Sequence, residues 1–274
     1  MTAARRQLRV FFNRMTLEGL RPRGFHELRA AGFEGVQFSE PATPDELAEC
    51  QAAGLAIAAS GRVNRLHEAQ WFAERWAGEG YECATLHVGW GLEEDDEALQ
   101  LIHDVLVASA RWKIPLFIET HRATICQDMW RTVQFVRRFP EMRFNGDFSH
   151  WYTGQEMVYG GFEKKFAFIQ PVIERVGFIH GRIGNPGCMQ VQVDENARPE
   201  PGYVTHFKQL WTACFRHARQ AIYFAPELLA PDIFYARTFA NAAGELVEES
   251  DRWEQSLVLK RIAENCFEQA YAHG

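Results

Sequence analysis

The chain has 274 residues, of which 47% are hydrophobic and 24% are charged, and its formal net charge is −7. This length suits one large domain or two small ones, and the hydrophobic content is sufficient for a substantial core. The acidic balance argues against a nucleic-acid partner, because phosphate backbones are bound by clustered Lys and Arg. Every apolar run is far shorter than the ~18 residues that span a bilayer, so no membrane segment is expected.

The N-terminal segment and the cysteines indicate the cellular compartment of the protein. The first residues, MTAARRQLRVFF, contain no long apolar stretch followed by a small-residue cleavage site, so no signal peptide is expected. The six cysteines are far apart and form no CxxC pair, which favours free thiols over a disulfide framework. We therefore predict a cytoplasmic protein.

Short apolar runs alternate with helix-like segments along the whole chain. The runs are rich in Ile, Phe, Val and Tyr, which is typical of buried strands. The predicted strands cover residues 8–13, 35–40, 55–60, 84–89, 115–120, 143–148, 177–181 and 221–226. The predicted helices include 67–76, 96–112, a helix that begins at Pro44 with Thr43 as its N-cap, and a closing helical region over 245–271.

A strand followed by a helix, repeated eight times, predicts a (β/α)8 TIM barrel in a single domain over residues 1–274. The alternative is a doubly wound open sheet, which usually carries a Gly-rich phosphate-binding turn after its first strand. Here that turn reads NRMTLEGL and lacks GxGxxG. The barrel is therefore the favoured architecture.

Four of the predicted strands end in an acidic or imidazole side chain. Glu119 ends PLFIE, Asp147 ends RFNGD, His180 ends GFIH, and Glu227 follows AIYFAP. A charge at the end of a buried strand is costly unless something pairs with it. Because the strands are successive in one parallel sheet, these side chains are expected to converge on one point.

Each of these residues also has a structural interpretation when it is taken alone. Glu119 could pair with Arg122, His180 could be a hydrogen-bonded core histidine, and Glu227 could lie at a helix N-terminus. The set is harder to explain in that way, because three carboxylates near one point repel one another without a cation. Oxygen ligands with one imidazole suit Mn²⁺, Mg²⁺ or Co²⁺, with Zn²⁺ as a further option.

Four other residues are candidates for the rim of the same pocket. His87 and His121 lie at strand ends, where they could line the pocket or be hydrogen-bonded structural histidines. Glu40 ends the second run and could reach a substrate or pair with an Arg. Trp151 could stack on a sugar ring, although core packing is the commoner use of Trp.

Two long connections follow the sixth and seventh strands, over residues 151–161 and 182–203. In a TIM barrel, both would lie at the C-terminal mouth, where such enzymes place their chemistry. Their length and their Gly, Trp, Tyr and Met content favour a substrate-covering role.

The set Glu119, Asp147-x-x-His150, His180 and Glu227 resembles the signature of the xylose isomerase-like TIM-barrel superfamily, in its sugar phosphate isomerase/epimerase branch. The resemblance covers the eight-unit pattern, but its motifs lie in the C-terminal half. It implies that Glu119, Asp147, His180 and Glu227 bind one divalent ion and that His150 contacts the substrate. Epimerases of this group usually place an Arg several residues after the metal-binding His.

That position, 186, is Pro in this chain, and Arg182 is the candidate substitute. The activity implied by the resemblance is metal-dependent isomerisation or epimerisation of a ketose or keto-sugar, with Glu119 and Glu227 moving the proton of an enediolate. The alternative is a lyase or dehydratase acting on a keto-sugar or keto-inositol. The expected partner is a small carbohydrate, and homo-oligomers are common for this architecture.

Two further classes are less favoured. A phosphodiester hydrolase of the endonuclease IV kind would need additional ligands, including an Asp-x-His after the seventh strand, and residues 182–203 contain no His. A non-catalytic barrel is disfavoured because the ligand set is intact.

Overall fold

The computed structural model describes residues 6–272, so the first five residues of the segment in which no signal peptide was expected lie outside it. Eight parallel strands close into one barrel in chain order, and the first strand pairs with the eighth. The predicted TIM barrel is therefore confirmed. The barrel strands are β1 (Gln7–Asn13), β2 (Gly35–Phe38), β3 (Ala56–Val63), β4 (Cys83–Val88), β5 (Leu116–Glu119), β6 (Phe144–Asn145), β7 (Val176–His180) and β8 (Ala221–Ala225).

Helices connect the strands around the outside of this barrel. They are α1 (Phe25–Ala30), α2 (Pro44–Ala52), α3 (Glu68–Gly78), α4 (Asp95–Trp112), α5 (Met129–Arg138), α6 (Phe148–Gly154), α7 (Phe162–Phe168), α8 (Gln170–Ile173), α9 (Gly202–His217) and α10 (Arg252–Tyr271). The predicted cap of α2 is confirmed, because the Thr43 side chain accepts from the Glu46 backbone N–H. Within residues 6–272, no helix combines the length and the apolar character needed to cross a bilayer.

Inner and outer side chains alternate along each barrel strand, because successive residues of a strand face opposite sides. In β5, Ile118 joins the large core between the barrel and the helices, whereas Phe117 joins a small cluster inside the barrel. Glu119 lies two residues after Phe117 on the same strand, so its side chain also faces the barrel interior. The same alternation places His180 on the inward side of β7, two residues after Phe178.

The barrel interior is therefore layered. Its lower layer is apolar and consists of Phe11, Ala58, Cys83, Phe117, Phe178, Tyr223 and Ala225. The layer above it is polar and fully buried, and it includes Asn13, Gln37, Thr85, Glu119, Asn145 and His180. The candidate site lies on this polar layer, at the carboxyl ends of the strands, where TIM barrels carry their chemistry.

The sixth strand is much shorter than predicted, with only Phe144 and Asn145 in place of residues 143–148. Its register on β7 shifts between these two residues, because Phe144 pairs with Val176 and Asn145 pairs with Phe178. The chain then turns, and Asp147 becomes the N-cap of α6. Asp147 is thus a helix-cap residue at the barrel mouth and not a strand residue.

The prediction of helix from residue 245 is wrong at its start. Leu246–Glu248 forms β10, which pairs in antiparallel fashion with β9 (Thr238–Ala240). The last helix begins only at Arg252, because the Asp251 side chain accepts from the Glu254 backbone N–H and caps it there. The two-stranded unit extends the connection that follows β8.

Gly181 follows the candidate ligand His180 at a point where two strands approach closely. A Cβ added at this residue would lie 2.0 Å from the Phe224 ring. We expect Gly181→Ala to lower the free energy of unfolding by about 1–3 kcal/mol through overpacking. Urea unfolding of both proteins measures this change. Gly154→Ala is the control, because a Cβ there meets nothing within 4 Å, and equal midpoints for the two variants would contradict the close packing of Gly181 on Phe224.

Candidate metal centre

The four predicted ligands come together at the barrel mouth. One donor atom each from Glu119, Asp147, His180 and Glu227 lies within 4.8 Å of all the others. The Nδ1 atom of His180 is 3.3 Å from Glu119 Oε2 and 3.4 Å from Glu227 Oε1. All four residues are buried, and Glu227 is the most exposed of them at 9%.

Two donor atoms in this cluster are buried without a hydrogen-bond partner among residues 6–272. They are Glu119 Oε1 and His180 Nδ1. An unsatisfied buried polar atom costs about 1–3 kcal/mol, so native proteins rarely leave two side by side. A divalent cation would satisfy both atoms and neutralise the carboxylates. The donor set, three carboxylates and one imidazole, fits such an ion.

A hydrogen-bond network orients the His180 ring. Its Nε2 lies 3.0 Å from Gln37 Oε1, and the Gln37 amide nitrogen donates to Thr85 Oγ1 at 2.9 Å. With its nitrogen committed to Thr85, Gln37 presents its oxygen to His180 and accepts from Nε2–H. The His180 Nδ1 atom is thereby left as the one that faces the carboxylates, which is the usual arrangement of a metal-binding histidine.

Asn145 orients the Glu119 carboxylate in a similar way. Its side-chain amide donates to Glu119 Oε2 at 2.9 Å, and its Oδ1 accepts from the His180 backbone N–H at 2.9 Å. One amide therefore fixes both the ligand carboxylate on β5 and the backbone of the ligand on β7. Loss of such a supporting contact typically costs roughly 10–100-fold in metal affinity or activity.

Arg182 holds the other two carboxylates. Its Nη2 contacts Asp147 Oδ2 and lies 3.2 Å from Glu227 Oε2, and its Nε donates to Ser149 Oγ at 3.1 Å. Ser149 in turn donates its backbone N–H to Asp147 Oδ1 at 3.0 Å. Arg182 therefore lies at the site, and the residue is only 1% exposed.

The segment that carries Glu227 is fixed by backbone contacts. The Leu228 N–H donates to Thr16 Oγ1 at 3.3 Å, and the Leu229 N–H donates to Gln190 Oε1 at 2.9 Å. These contacts tie the stretch after β8 to the first and seventh connections. Glu227 thus has a fixed position although it lies two residues beyond the end of its strand.

The electrostatics of the cluster follow from burial and from charge pairing. Burial by itself raises the pKa of Glu119, but His87 and His180 outweigh it and hold that pKa well below its usual range. Burial also raises the pKa of Asp147, and Arg182 and His150 reverse that effect, so the Asp147 pKa is lowered. Both carboxylates are ionised at neutral pH and available as ligands.

The pKa of His180 is shifted in the opposite direction. Burial lowers its pKa, but Glu227 and Glu119 raise it to about 9. In the metal-free cluster, the imidazole therefore carries a proton that balances the carboxylates. A divalent ion would replace this proton, because a histidine ligand must offer a lone pair.

Three further imidazoles lie above the cluster. His87 Nε2 is 3.2 Å from Glu119 Oε1, and the His121 ring centroid is 4.2 Å from that of His87 and 3.7 Å from that of His150. Burial and the neighbouring His150 lower the pKa of His121 to about 2, and burial lowers that of His150. His87, His121 and His150 therefore lie next to the cluster, and their contact with a substrate stays a prediction.

Trp151 and Glu40 do not join this group. Trp151 is on α6, it is fully buried, and its indole N–H donates to the Cys126 carbonyl at 3.0 Å. The structure thus corrects the expectation that Trp151 stacks on a substrate, because the ring packs in the core. Glu40 is exposed beyond the end of β2, and no contact joins it to the cluster in the part of the chain that the structure describes.

The two connections that were expected to cover a substrate are more ordered than expected. The first residues of 151–161 belong to α6, and Met157 is fully buried. Residues 182–201 form no helix or strand, but Val191 and Val193 are buried, and the Val193 backbone exchanges hydrogen bonds with Gln255 on α10. Both segments therefore pack against the rest of the protein, and the second also contributes Arg182 to the site.

Sequence reasoning missed the residues that support and surround the ligands. Gln37 and Asn145 each interrupt an apolar run with a polar residue in the inward phase of its strand, which is a signal that could have been used. Arg122 was considered only as an ion-pair partner of Glu119, and within residues 6–272 Glu119 pairs with His87 and His180 instead. Tyr235 lies outside the strands and no spacing marks it, so it reaches the site only through the fold.

Comparisons with known proteins identify the fold. Neither a protein-family model nor a curated protein sequence matches the chain. Among solved structures, a D-tagatose 3-epimerase-like protein matches with a TM-score of 0.60 and 10% identity, over 95% of this chain and 99% of that one. A xylose isomerase-like TIM barrel protein from Mycobacterium smegmatis, in complex with magnesium, matches with a TM-score of 0.59 and 11% identity, over 95% and 97%.

Endonuclease IV from Thermus thermophilus also matches, with a TM-score of 0.55 and 13% identity, over 94% of this chain and 99% of that one. At these identities the likeness shows the fold alone. The chain thus has the fold of the xylose isomerase-like TIM barrels. That fold carries several activities, so activity has to be argued from the site.

Proposed function

We propose that this protein is a divalent-metal-dependent isomerase or epimerase that acts on a ketose or keto-sugar by proton transfer through an enediolate. The observation that carries the proposal is the buried cluster of Glu119, Asp147, His180 and Glu227, in which Glu119 Oε1 and His180 Nδ1 lack partners in the described residues. These four residues would hold the ion. When bound, a divalent ion supplies Lewis acidity toward a carbonyl and its neighbouring hydroxyl.

The two glutamates are the proton-transfer groups in this proposal. They approach His180 from different strands, since Glu119 ends β5 and Glu227 follows β8. Asn145 holds one of them and Arg182 holds the other. An ionised carboxylate can remove a proton from the carbon beside a carbonyl, and the second carboxyl group can return one. The lowered pKa of Glu119, caused by His87 and His180 against burial, keeps this carboxylate ionised at neutral pH.

Elimination of water from a keto-sugar is the second reaction that such a site could support. It would require a protonated group to assist the departing hydroxyl. Burial lowers the pKa values of His121 and His150, so these imidazoles are neutral at neutral pH and poor proton donors. Isomerisation or epimerisation, in which the two carboxyl groups transfer the proton, is favoured for this reason.

The substrate is proposed to be a small carbohydrate, in a cytoplasmic setting. The net charge of −7 continues to argue against a polyanionic nucleic acid. The site lies among buried side chains at the carboxyl ends of the barrel strands, which suits a small ligand. Assembly into a homo-oligomer remains a prediction from the architecture.

Removal of metal provides a direct test of the proposed centre. We expect protein dialysed against Mn²⁺ and then desalted to contain about one ion per chain, and we expect EDTA treatment to lower its melting temperature. Elemental analysis and thermal unfolding measure the two effects. A panel of ketoses and keto-sugars, followed by product analysis, then identifies the reaction.

His180→Ala is the matched control, because it removes the imidazole donor and leaves the carboxylates in place. It should bind less Mn²⁺ and show little response to EDTA. Wild-type protein that retains no ion and melts identically with and without EDTA would contradict the metal centre. Active protein without metal would contradict the mechanism.

A further inference from the structure

Arg182 has hydrogen-bonding capacity that the metal cluster does not use. Its Nη2 and Nε atoms are occupied by Asp147, Glu227 and Ser149. Its Nη1 atom is buried and has no hydrogen-bond partner within the described range, 6–272. A guanidinium nitrogen of this kind carries two N–H donors. Two unpaired donors on a buried cation indicate a position for an acceptor that arrives from outside the protein.

One aromatic ring lies close to both Arg182 and a second arginine, Arg122. The Cζ atom of Arg182 is 4.8 Å from the centroid of the Tyr235 ring, and the Cζ atom of Arg122 is 4.9 Å from the same centroid. Tyr235 lies in the connection between β8 and β9 and is half-buried. Guanidinium groups from two different connections therefore lie near one ring at the barrel mouth.

The charge balance of the mouth favours an anionic occupant. The three ligand carboxylates are balanced by one divalent ion together with Arg182. Arg122 is exposed and Arg62 is partly buried, and neither forms an ion pair with a carboxylate in residues 6–272. With the metal in place, these two arginines add positive charge at the mouth, which Glu93 near Arg62 offsets only in part. A neutral ketose gains nothing from that charge, whereas an acidic ligand is attracted and oriented by it.

We propose that Arg122, Arg182 and the ring of Tyr235 form a subsite for a carboxylate on the substrate, so that the substrate is a keto sugar acid and not a neutral ketose. This inference rests on the proposed function and names its substrate class. Guanidinium groups bind carboxylates through paired N–H donors. A phosphate is disfavoured, because phosphate sites usually add backbone N–H groups from a Gly-rich turn or a helix N-terminus.

The test is a binding comparison on Mn²⁺-loaded protein by titration calorimetry. The probes are 2-keto-D-gluconate, which carries a carboxylate, D-fructose, which is neutral, and D-fructose 6-phosphate. We expect the keto sugar acid to bind at least about tenfold more tightly than D-fructose, as one charge-assisted hydrogen bond allows. We expect Arg122→Gln to remove most of this difference and to leave the affinity for D-fructose unchanged.

Arg122 is the informative position because it is exposed, so its replacement does not disturb the core. Arg138→Gln, an exposed arginine at the end of α5, is the control and should behave like the wild type. Arg182→Lys keeps the buried charge and removes the paired donors. It should weaken binding of the keto acid more than binding of D-fructose, with both affinities measured on protein whose Mn²⁺ content has been determined.

Three results would overturn the proposal. They are equal affinity for the keto acid and D-fructose, an equal effect of Arg122→Gln on both ligands, and a preference for D-fructose 6-phosphate over the keto acid. Absence of binding by all three probes would also overturn it. Failure of the proposed function would be visible separately, as absence of bound Mn²⁺ or of turnover on the wider panel.

Discussion

Glu227→Gln should reduce turnover by at least about a hundredfold on the sugar that the panel identifies, because general acid–base groups contribute roughly 10²–10⁴ in rate. The amide keeps the size of the side chain and one oxygen near His180, but it cannot accept a proton at neutral pH. Glu227 is the most exposed of the four ligands, so it is the carboxylate nearest to an arriving substrate. Steady-state kinetics with saturating Mn²⁺ measures the loss.

The matched control is Glu268→Gln, an exposed position on α10 that lies far along the chain from the site ligands. It should leave turnover unchanged. The same assay in D₂O also measures exchange of the substrate proton with solvent. A variant that lacks one of the two proton-transfer groups can still exchange this proton through the other group. Full activity of Glu227→Gln on the correct sugar would remove Glu227 from the mechanism.

Arg182→Met should lower the free energy of unfolding of the metal-free protein by about 3–5 kcal/mol, because it breaks a buried ion pair and leaves the partner charge in place. Both Arg182 and Asp147 have fully buried side chains. The methionine is of similar length but cannot compensate Asp147 or Glu227. Urea unfolding with EDTA present measures the change.

The double variant Arg182→Met with Asp147→Asn provides the control for this experiment. Removing the charge of Asp147 as well should recover part of the lost stability, since the two residues interact directly. If the double variant loses the sum of the two single effects, the pair is not coupled. In that case Arg182 would be a packing residue and not the counter-ion of the cluster.

The predicted strands illustrate which parts of the fold can be obtained from sequence. All eight exist, because each run is apolar, short and bounded by turn residues. The sixth was predicted four residues too long, since the turn at Gly146 and the cap at Asp147 depend on the register with β7. The start of the last helix was misplaced for a similar reason, because β10 is stabilised by pairing with β9 and not by its own residues.

The candidate ligands could be predicted because parallel strands bring their carboxyl ends to one edge. Glu119, Asp147, His180 and Glu227 therefore converge without any knowledge of their side-chain contacts. Trp151 could not be placed in the same way. Whether an aromatic residue after a strand faces the mouth or the core depends on the helix that forms around it, and here α6 turns Trp151 into the core.

The sequence by itself thus determined the alternation of strands and helices, the closed barrel that follows from it, and the four residues at the strand ends. Only the tertiary structure decided what surrounds them. Gln37 supports His180 across 143 residues of chain, and the Tyr235 ring lies close to both Arg122 and Arg182. Which partner each of these side chains contacts has no signature in the local sequence, because the contacts are created when the barrel closes and brings distant connections to the same mouth.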